Sequence, residues 1–282
     1  NLSLDANTTA DNNTAVGYAS LSANTTGSLN AAFGGQTLED NTTGAQNTAI
    51  GMYALANNTT ASLNTAVGYT ALIANTTGTS NVAVGAYALD SNTTANSNTA
   101  VGWNSLQANT TAAGNTAMGY SALKLNTTGT YNAAFGLNAL LSNTTADSNT
   151  AVGYYALWSN TTASNNTAVG KDALGTNITG SACTAVGKGA LEDSTVSDQT
   201  AVGYMALSST TTGDENVGVG VWAGVDNTTG TQCTWVGTYA GHNNTTGSYN
   251  TSLGFQALTA NTTGYSNTAI GWGAGKALTE GF

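Results

Sequence analysis

A glycine recurs every seventeen residues along this chain, at Gly17, Gly34, Gly51, Gly68, Gly85, Gly102, Gly119, Gly136, Gly153, Gly170 and Gly187, and again at Gly203, Gly220, Gly237, Gly254 and Gly271. Only the step from Gly187 to Gly203 is short, by one residue; the loss falls in "STVSDQ" (194–199), where the preceding unit reads "NITGSAC" (177–183). The chain is thus sixteen copies of one phrase, close to N-T-A-V-G-Y-x-A-L-x-x-N-T-T-G-x-x. So short and strict a period restricts the fold to a solenoid in which one repeat is one turn and each turn buries its apolar groups by stacking on its neighbours. On this reading residues 1–275 form a single solenoid, and 276–282 end the array or start a following segment.

Short runs of β-branched residues bounded by Gly and Asn predict strands, and seventeen residues leave no room for two stable helices per unit. The expected class is all-β, a parallel β-solenoid of sixteen turns. Sixteen turns at about 4.8 Å would extend roughly 75 Å. The residue before the glycine is always apolar (Val16, Phe33, Ile50, Val67, Val84), and Leu stands four residues after it in thirteen units, replaced by Gly224, Gly241 and Gly275 in the others. These two columns are expected to form the core. In "TAV" the Ala points away from Thr and Val, and its column stays Ala except at Gly218, Trp235 and Ser252. So small and constant a residue predicts close packing by a second chain, with Ala66, Ala83 and Ala100 at a homo-oligomer interface.

Two Asn columns run through the array, Asn13, Asn30, Asn47, Asn64 and Asn81 in one and Asn7, Asn24, Asn41, Asn58 and Asn75 in the other. Stacked at about 4.8 Å, their amides can hydrogen-bond from turn to turn, and Asn suits the left-handed corners that a tight coil requires. The absence of Pro fits a coil that uses nearly every backbone N–H. The "NTT" or "NIT" of fourteen units is also a glycosylation sequon, which makes Asn24, Asn75 and Asn126 candidate acceptors. Sugars on every turn would crowd at that spacing, so a corner role is the stronger expectation. Cys183 and Cys233 each replace an Asn three turns apart, about 14 Å along the stack and too far for a disulfide.

Charge and composition exclude several functions. Four Lys and no Arg against fourteen acidic residues, net charge −10, argue against nucleic-acid binding. No apolar run approaches a membrane span, so no membrane insertion of this segment is expected, and no signal peptide is visible. The chain starts inside a repeat without Met, as a mature product or a piece of a longer protein would. His242 is the lone His, the carboxylates form no recurring pair, and no Asp column suited to calcium appears. No enzymatic activity, metal site or cofactor is therefore expected.

The column after the glycine carries Tyr18, Tyr69, Trp103, Tyr120, Tyr154, Tyr204, Phe255 and Trp272 among smaller residues and Lys171 and Lys188. Its variability indicates exposure and its rings a contact surface, so Tyr69, Trp103, Tyr120 and Tyr154 are the candidate adhesion residues, for glycans or a receptor protein. The Thr rows suggest an alternative, an ice-binding solenoid.

The phrase "NTAVGYTAL" (64–72) resembles the head repeats of trimeric autotransporter adhesins of the YadA-like type, and is similar to repeats of bacterial and phage tail-fibre proteins. The resemblance implies a left-handed parallel β-roll, three chains side by side, and an adhesive or spacer fibre on a cell or virion surface. The present unit is longer and adds the "NTTG" corner. The combined expectation is a non-enzymatic extracellular fibre module that self-associates, as a trimer or filament.

Overall fold

The computed structural model describes residues 2–280 and is a parallel β-solenoid with one three-residue strand per repeat and no helix among these residues. Two compact units divide the chain between Thr145 and Ala146. The first holds β1 (Thr14–Val16), β2 (Ala31–Phe33), β3 (Thr48–Ile50), β4 (Thr65–Val67), β5 (Val82–Val84), β6 (Thr99–Val101), β7 (Thr116–Met118) and β8 (Ala133–Phe135). The second holds β9 (Thr150–Val152), β10 (Thr167–Val169), β11 (Thr184–Val186), β12 (Thr200–Val202), β13 (Val217–Val219), β14 (Thr234–Val236), β15 (Thr251–Leu253) and β16 (Thr268–Ile270). Within each unit neighbouring strands pair in chain order with the repeat in register, as in Thr65↔Val82, Ala66↔Ala83 and Val67↔Val84. The short unit leaves that register intact, since Thr184 still pairs with Thr200. The deletion is absorbed in the corner, where Gln199 donates its amide to the Gly213 carbonyl at 2.8 Å, as Asn216 does to the Gly230 carbonyl one turn on.

Turn-to-turn bonding extends beyond the strands. Gln36 N–H reaches the Tyr18 carbonyl at 2.7 Å, Leu38 N–H the Ala54 carbonyl at 3.2 Å and Thr42 N–H the Thr59 carbonyl at 2.8 Å. To aim these groups along the stack the backbone turns left-handed several times per repeat, and one of those positions is the Leu column, with φ near +52° at Leu21, Leu72 and Leu106 in turn 52°, 56° and 52°. A bulky residue there is strained by about 1 kcal/mol or more and persists only because the surroundings fix it. Gly224, Gly241 and Gly275 adopt the same conformation. Left-handed positions therefore fall on Leu, on the second residue after the repeat glycine, such as Gln36 and Tyr53, and on the residues just before the first Asn column, such as Leu29, Gln46 and Leu63, and not on the column Asn that the sequence suggested. The glycine that sets the period has φ near +135°, and a Cβ on Gly68 would lie 2.6 Å from the carbonyl group of Gly85. No L side chain fits between turns so close.

The strand faces are reversed from the sequence expectation. Ala66, Ala83 and Ala100 are fully buried inside their own coil, whereas Val16, Ile50 and Met118 are 56%, 43% and 42% exposed. Ala and Leu form the core, Val and Thr face out, and the three Ala cannot serve as an interface between chains. The reason is width. Gly218 stands in the Ala column, and a Cβ there would lie 2.8 Å from Leu207 Cγ; the Leu of the turn before already fills the interior up to the strand. Elsewhere the column holds Ala or, at Ser252, a hydroxymethyl group, and at Gly218 not even a methyl fits while Leu207 stays in place. Trp235 is the exception that fixes the limit: its buried indole lies against Gly224 and Gly241, where a Cβ at either would overlap the ring. Two missing Leu side chains make room for one indole, a swap that conserves core volume.

Both Asn columns are buried, and each is bonded differently. In one, Asn41 Nδ2 donates to Asn24 Oδ1 at 2.9 Å and Asn58 Nδ2 to Asn41 Oδ1 at 2.8 Å, an amide ladder. In the other, Asn47 Oδ1 accepts the backbone N–H of Asn64 at 3.0 Å. The columns meet on shared carbonyls: Ala61 O accepts from both Asn47 Nδ2 and Asn58 Nδ2, each at 2.9 Å. The glycosylation candidates fail on this geometry. Asn24, Asn75 and Asn126 are fully buried, and each Nδ2 that would carry a sugar donates twice, to an Asn below and to a carbonyl of its own turn. Cys183 and Cys233 are free and buried. The Cys233 thiol copies an Asn, approaching Gly247 O at 3.3 Å and receiving Asn250 N–H at 3.4 Å. Burial pushes both thiols up to about 11.

This inside-out assignment separates neighbouring residues. Ala100→Leu should destabilise the fold by about 1–3 kcal/mol through overpacking, whereas Val101→Leu should stay within about 0.5 kcal/mol. Denaturant unfolding followed by circular dichroism measures both.

Candidate functional site

Because each turn repeats the last, residues exposed at equivalent positions line up, and the two positions after the glycine bring most of the rings together. In the first unit Tyr53, Tyr69, Tyr87, Trp103 and Tyr120 form one unbroken run. Their successive centroids are 6.3, 5.5, 6.4 and 4.8 Å apart. The first three contacts are edge-to-face, and Trp103 stacks on Tyr120 at 21°. Such pairs add about 0.5–1.5 kcal/mol each beyond their burial. Three candidate adhesion residues, Tyr69, Trp103 and Tyr120, therefore share one strip, and each is 42–50% exposed.

Tyr154 belongs to a separate cluster in the second unit, 4.2 Å from Tyr155, which in turn lies 5.4 Å from Trp158. A further run in that unit, Tyr204, Trp222, Tyr239, Phe255 and Trp272, matches the first, with centroids 5.7–6.4 Å apart. Sequence reasoning followed only the first position after the glycine and so missed Tyr53, Tyr87, Tyr155, Trp222 and Tyr239 at the second. Part of the signal was present: a ring follows the small first-position residues Ala86, Val221 and Thr238, although Gly35 is followed by Gln36, and Tyr53 and Tyr155 follow the large Met52 and Tyr154.

The two lysines of this column lie against its rings. Lys171 Nζ lies 5.5 Å from the Tyr154 ring centroid, and Lys188 Nζ 5.4 Å from that of Tyr204. Lys171 also pairs with Asp172 at 3.3 Å. His242 stacks 5.6 Å from Trp222 and 5.4 Å from Tyr239, with its Nδ1 3.7 Å from Asp226.

A cavity of about 320 Å³ opens on this face, bounded by Tyr154, Tyr155, Trp158, Asp172, Thr176 and Glu192. Trp158, Gly175 and Glu192 occupy the fifth position after the glycine on three successive turns, so the cavity lies where Gly175 leaves that column without a side chain. Burial raises the Glu192 carboxyl above its ordinary value, and the negative charges of Asp172 and Asp193 push the same way against Lys188 and Lys171. Among the described residues no group of three His, Cys, Asp or Glu is placed to hold a metal ion, and no helix is long and apolar enough to cross a membrane.

A second surface is the outward face of the strands. Its Val column holds Val, Phe, Ile, Met or Leu in every strand, and its Thr column holds Thr, Ala or Val. Neither carries a charge. Comparison of the chain with family models, with curated proteins and with solved structures finds no match, so both surfaces are read from their own chemistry.

Proposed function

We propose that the chain is a non-enzymatic structural and adhesive fibre module, displayed outside the cell or on a virion, that associates with copies of itself and presents its aromatic face to a ligand. The observation that carries this reading is the outward sheet face. Phe33, Ile50, Met118 and Phe135 in the first unit and Val152, Val169, Val186 and Val202 in the second are all exposed, and an uncharged apolar stripe of this kind on a soluble chain marks an interaction surface. A second copy of the same stripe is the simplest partner, because like columns at one repeat spacing remain in register along their length. The likeness of "NTAVGYTAL" (64–72) to adhesin head repeats supports a trimer.

The rings supply the adhesive half of the reading. Their outer faces form strips along which a sugar chain or an extended peptide can lie, and many weak contacts add through avidity. Ice binding remains the alternative of a different class. The second Thr of "NTT" is exposed throughout, from Thr26 and Thr43 to Thr246 and Thr263, while the first has its hydroxyl tied to a carbonyl of the next turn, as Thr42 to Thr59 at 3.0 Å. Thermal hysteresis would favour that alternative.

Two experiments test the main reading. The triple variant Val67→Glu, Val84→Lys, Val101→Glu alternates sign, so the charges attract along one chain and are buried only by association. Sedimentation should show an oligomer for the parent chain and a monomer of unchanged circular dichroism for the variant; a monomeric parent rejects self-association. Changing Trp103, Tyr120 and Tyr154 to Ser should lower adhesion to glycan arrays or cells by about tenfold or more, and unchanged adhesion in the folded variant leaves only a spacer role.

A further inference from the structure

We infer that the cavity between Trp158 and Glu192 is a binding site for a quaternary ammonium group. Tyr155 and Trp158, which meet at 69°, line it together with the carboxylates of Asp172 and Glu192 and the buried Gly175. Ring faces attract cations through their quadrupole, and aromatic walls combined with carboxylates are the chemistry that holds an alkylated ammonium ion. A volume of about 320 Å³ accommodates such a group.

Basic side chains set against rings recur on this face, one of them at the cavity's own edge. Lys171 sits over Tyr154, Lys188 over Tyr204, and His242 packs against both Trp222 and Tyr239 beside Asp226. At three places, then, the chain sets a basic side chain of its own against a ring. In the third the His occupies the fifth position after the glycine. At Gly175 that position is empty, while rings and carboxylates remain. Lys171 serves Tyr154 and Asp172 at one edge of the cavity; beside Trp158 and Glu192 a cation from solution completes the pattern.

The choice of a quaternary ammonium over other ligands follows from the donors already present. A primary amine would seek Asp172, which Lys171 already engages at 3.3 Å. A neutral sugar could stack on Trp158 and donate hydroxyls, yet would bring no positive charge to Glu192. A methylated cation has no N–H to satisfy, is weakly hydrated, and brings its charge to Glu192 while its methyl groups cover the rings. This site does not depend on self-association through the Val column, which lies on the strands.

The test is an NMR titration of the intact chain with tetramethylammonium and with choline, beside the neutral tert-butyl isostere of choline and methyl glucoside. Both cations should shift the resonances of Trp158 and Thr176 saturably, and the neutral compounds should not. Trp158→Ala should weaken binding by about tenfold or more. Gly175→Leu should abolish it with the fold retained. Leu141 and Ile73 occupy the equivalent position in other turns, and a Cβ on Gly175 would meet only the Asp172 backbone, at 3.2 Å. Phosphatidylcholine vesicles distinguish the source: capture that Gly175→Leu abolishes assigns the cation to a lipid headgroup, choline binding without capture assigns it to a free solute, and either supports the site. Equal binding of the neutral isostere, preference for the glucoside, or unchanged cation binding in folded Gly175→Leu would overturn it.

Discussion

The structure depends on burying asparagine side chains without leaving their hydrogen-bonding groups unmet. A primary amide presents two donors and an acceptor, and an unpaired one in a dry interior costs about 1–3 kcal/mol. Here the amide of Asn58 donates to Asn41 below and to Ala61 O of its own turn, and accepts from Asn75 above. The condition holds only if the next turn presents the same group at the same height, which makes the period a requirement of the interior. The short unit meets it only in part: the Gln199 amide N–H spans the difference and reaches Gly213 O, while its Oε1 and the hydroxyls of Ser194 and Thr210 are buried without a partner. Cys233 obeys it in another way, with one sulfur meeting Gly247 O and Asn250 N–H.

A coil held this way is narrow, and narrowness decides which residues are large. The interior takes a Leu and a few methyl groups per turn, and anything bulkier must displace something. Trp235 with Gly224 and Gly241 shows the exchange within one chain. The large β-branched residues go outside, where they line the sheet with an apolar face, so the surface read as interactive follows from the size of the core. The same stacking aligns exposed rings into strips, and a single Gly at 175 opens a cavity by omission.

Much of this was legible in the residues. The seventeen-residue spacing of the glycines fixed the class and the turn length, and the recurrence of Asn41 and Asn47 in their columns announced stacked amides. The inside of the strand was not legible by the usual rule that large apolar residues go in. Ala83 and Val84 alternate correctly, but the choice of which faces inward rests on the distance across the coil, which no single repeat states. The constancy of Ala against the variety of Val67, Met118 and Phe135 carried the answer, because a tight interior tolerates one size and an outer face many. The candidate adhesion residues were found in part: Tyr69, Trp103 and Tyr120 share a strip, yet that strip is completed by Tyr53 and Tyr87 from a column whose other members, such as Asn104 and Ser121, hide it. The cavity at Gly175 depends on an absent side chain, which column reading passes over.

The central claim is that buried amides hold one turn to the next. Side-chain amide hydrogen exchange of asparagine, followed by NMR on the folded chain, tests it most directly, with exposed Asn57 and Asn96 as internal standards. The account predicts that the Nδ2 protons of Asn41, Asn47, Asn58 and Asn64 exchange as slowly as the backbone amides of the strands, orders of magnitude behind the two standards. Exchange of those four at the rate of Asn57 and Asn96 would contradict it.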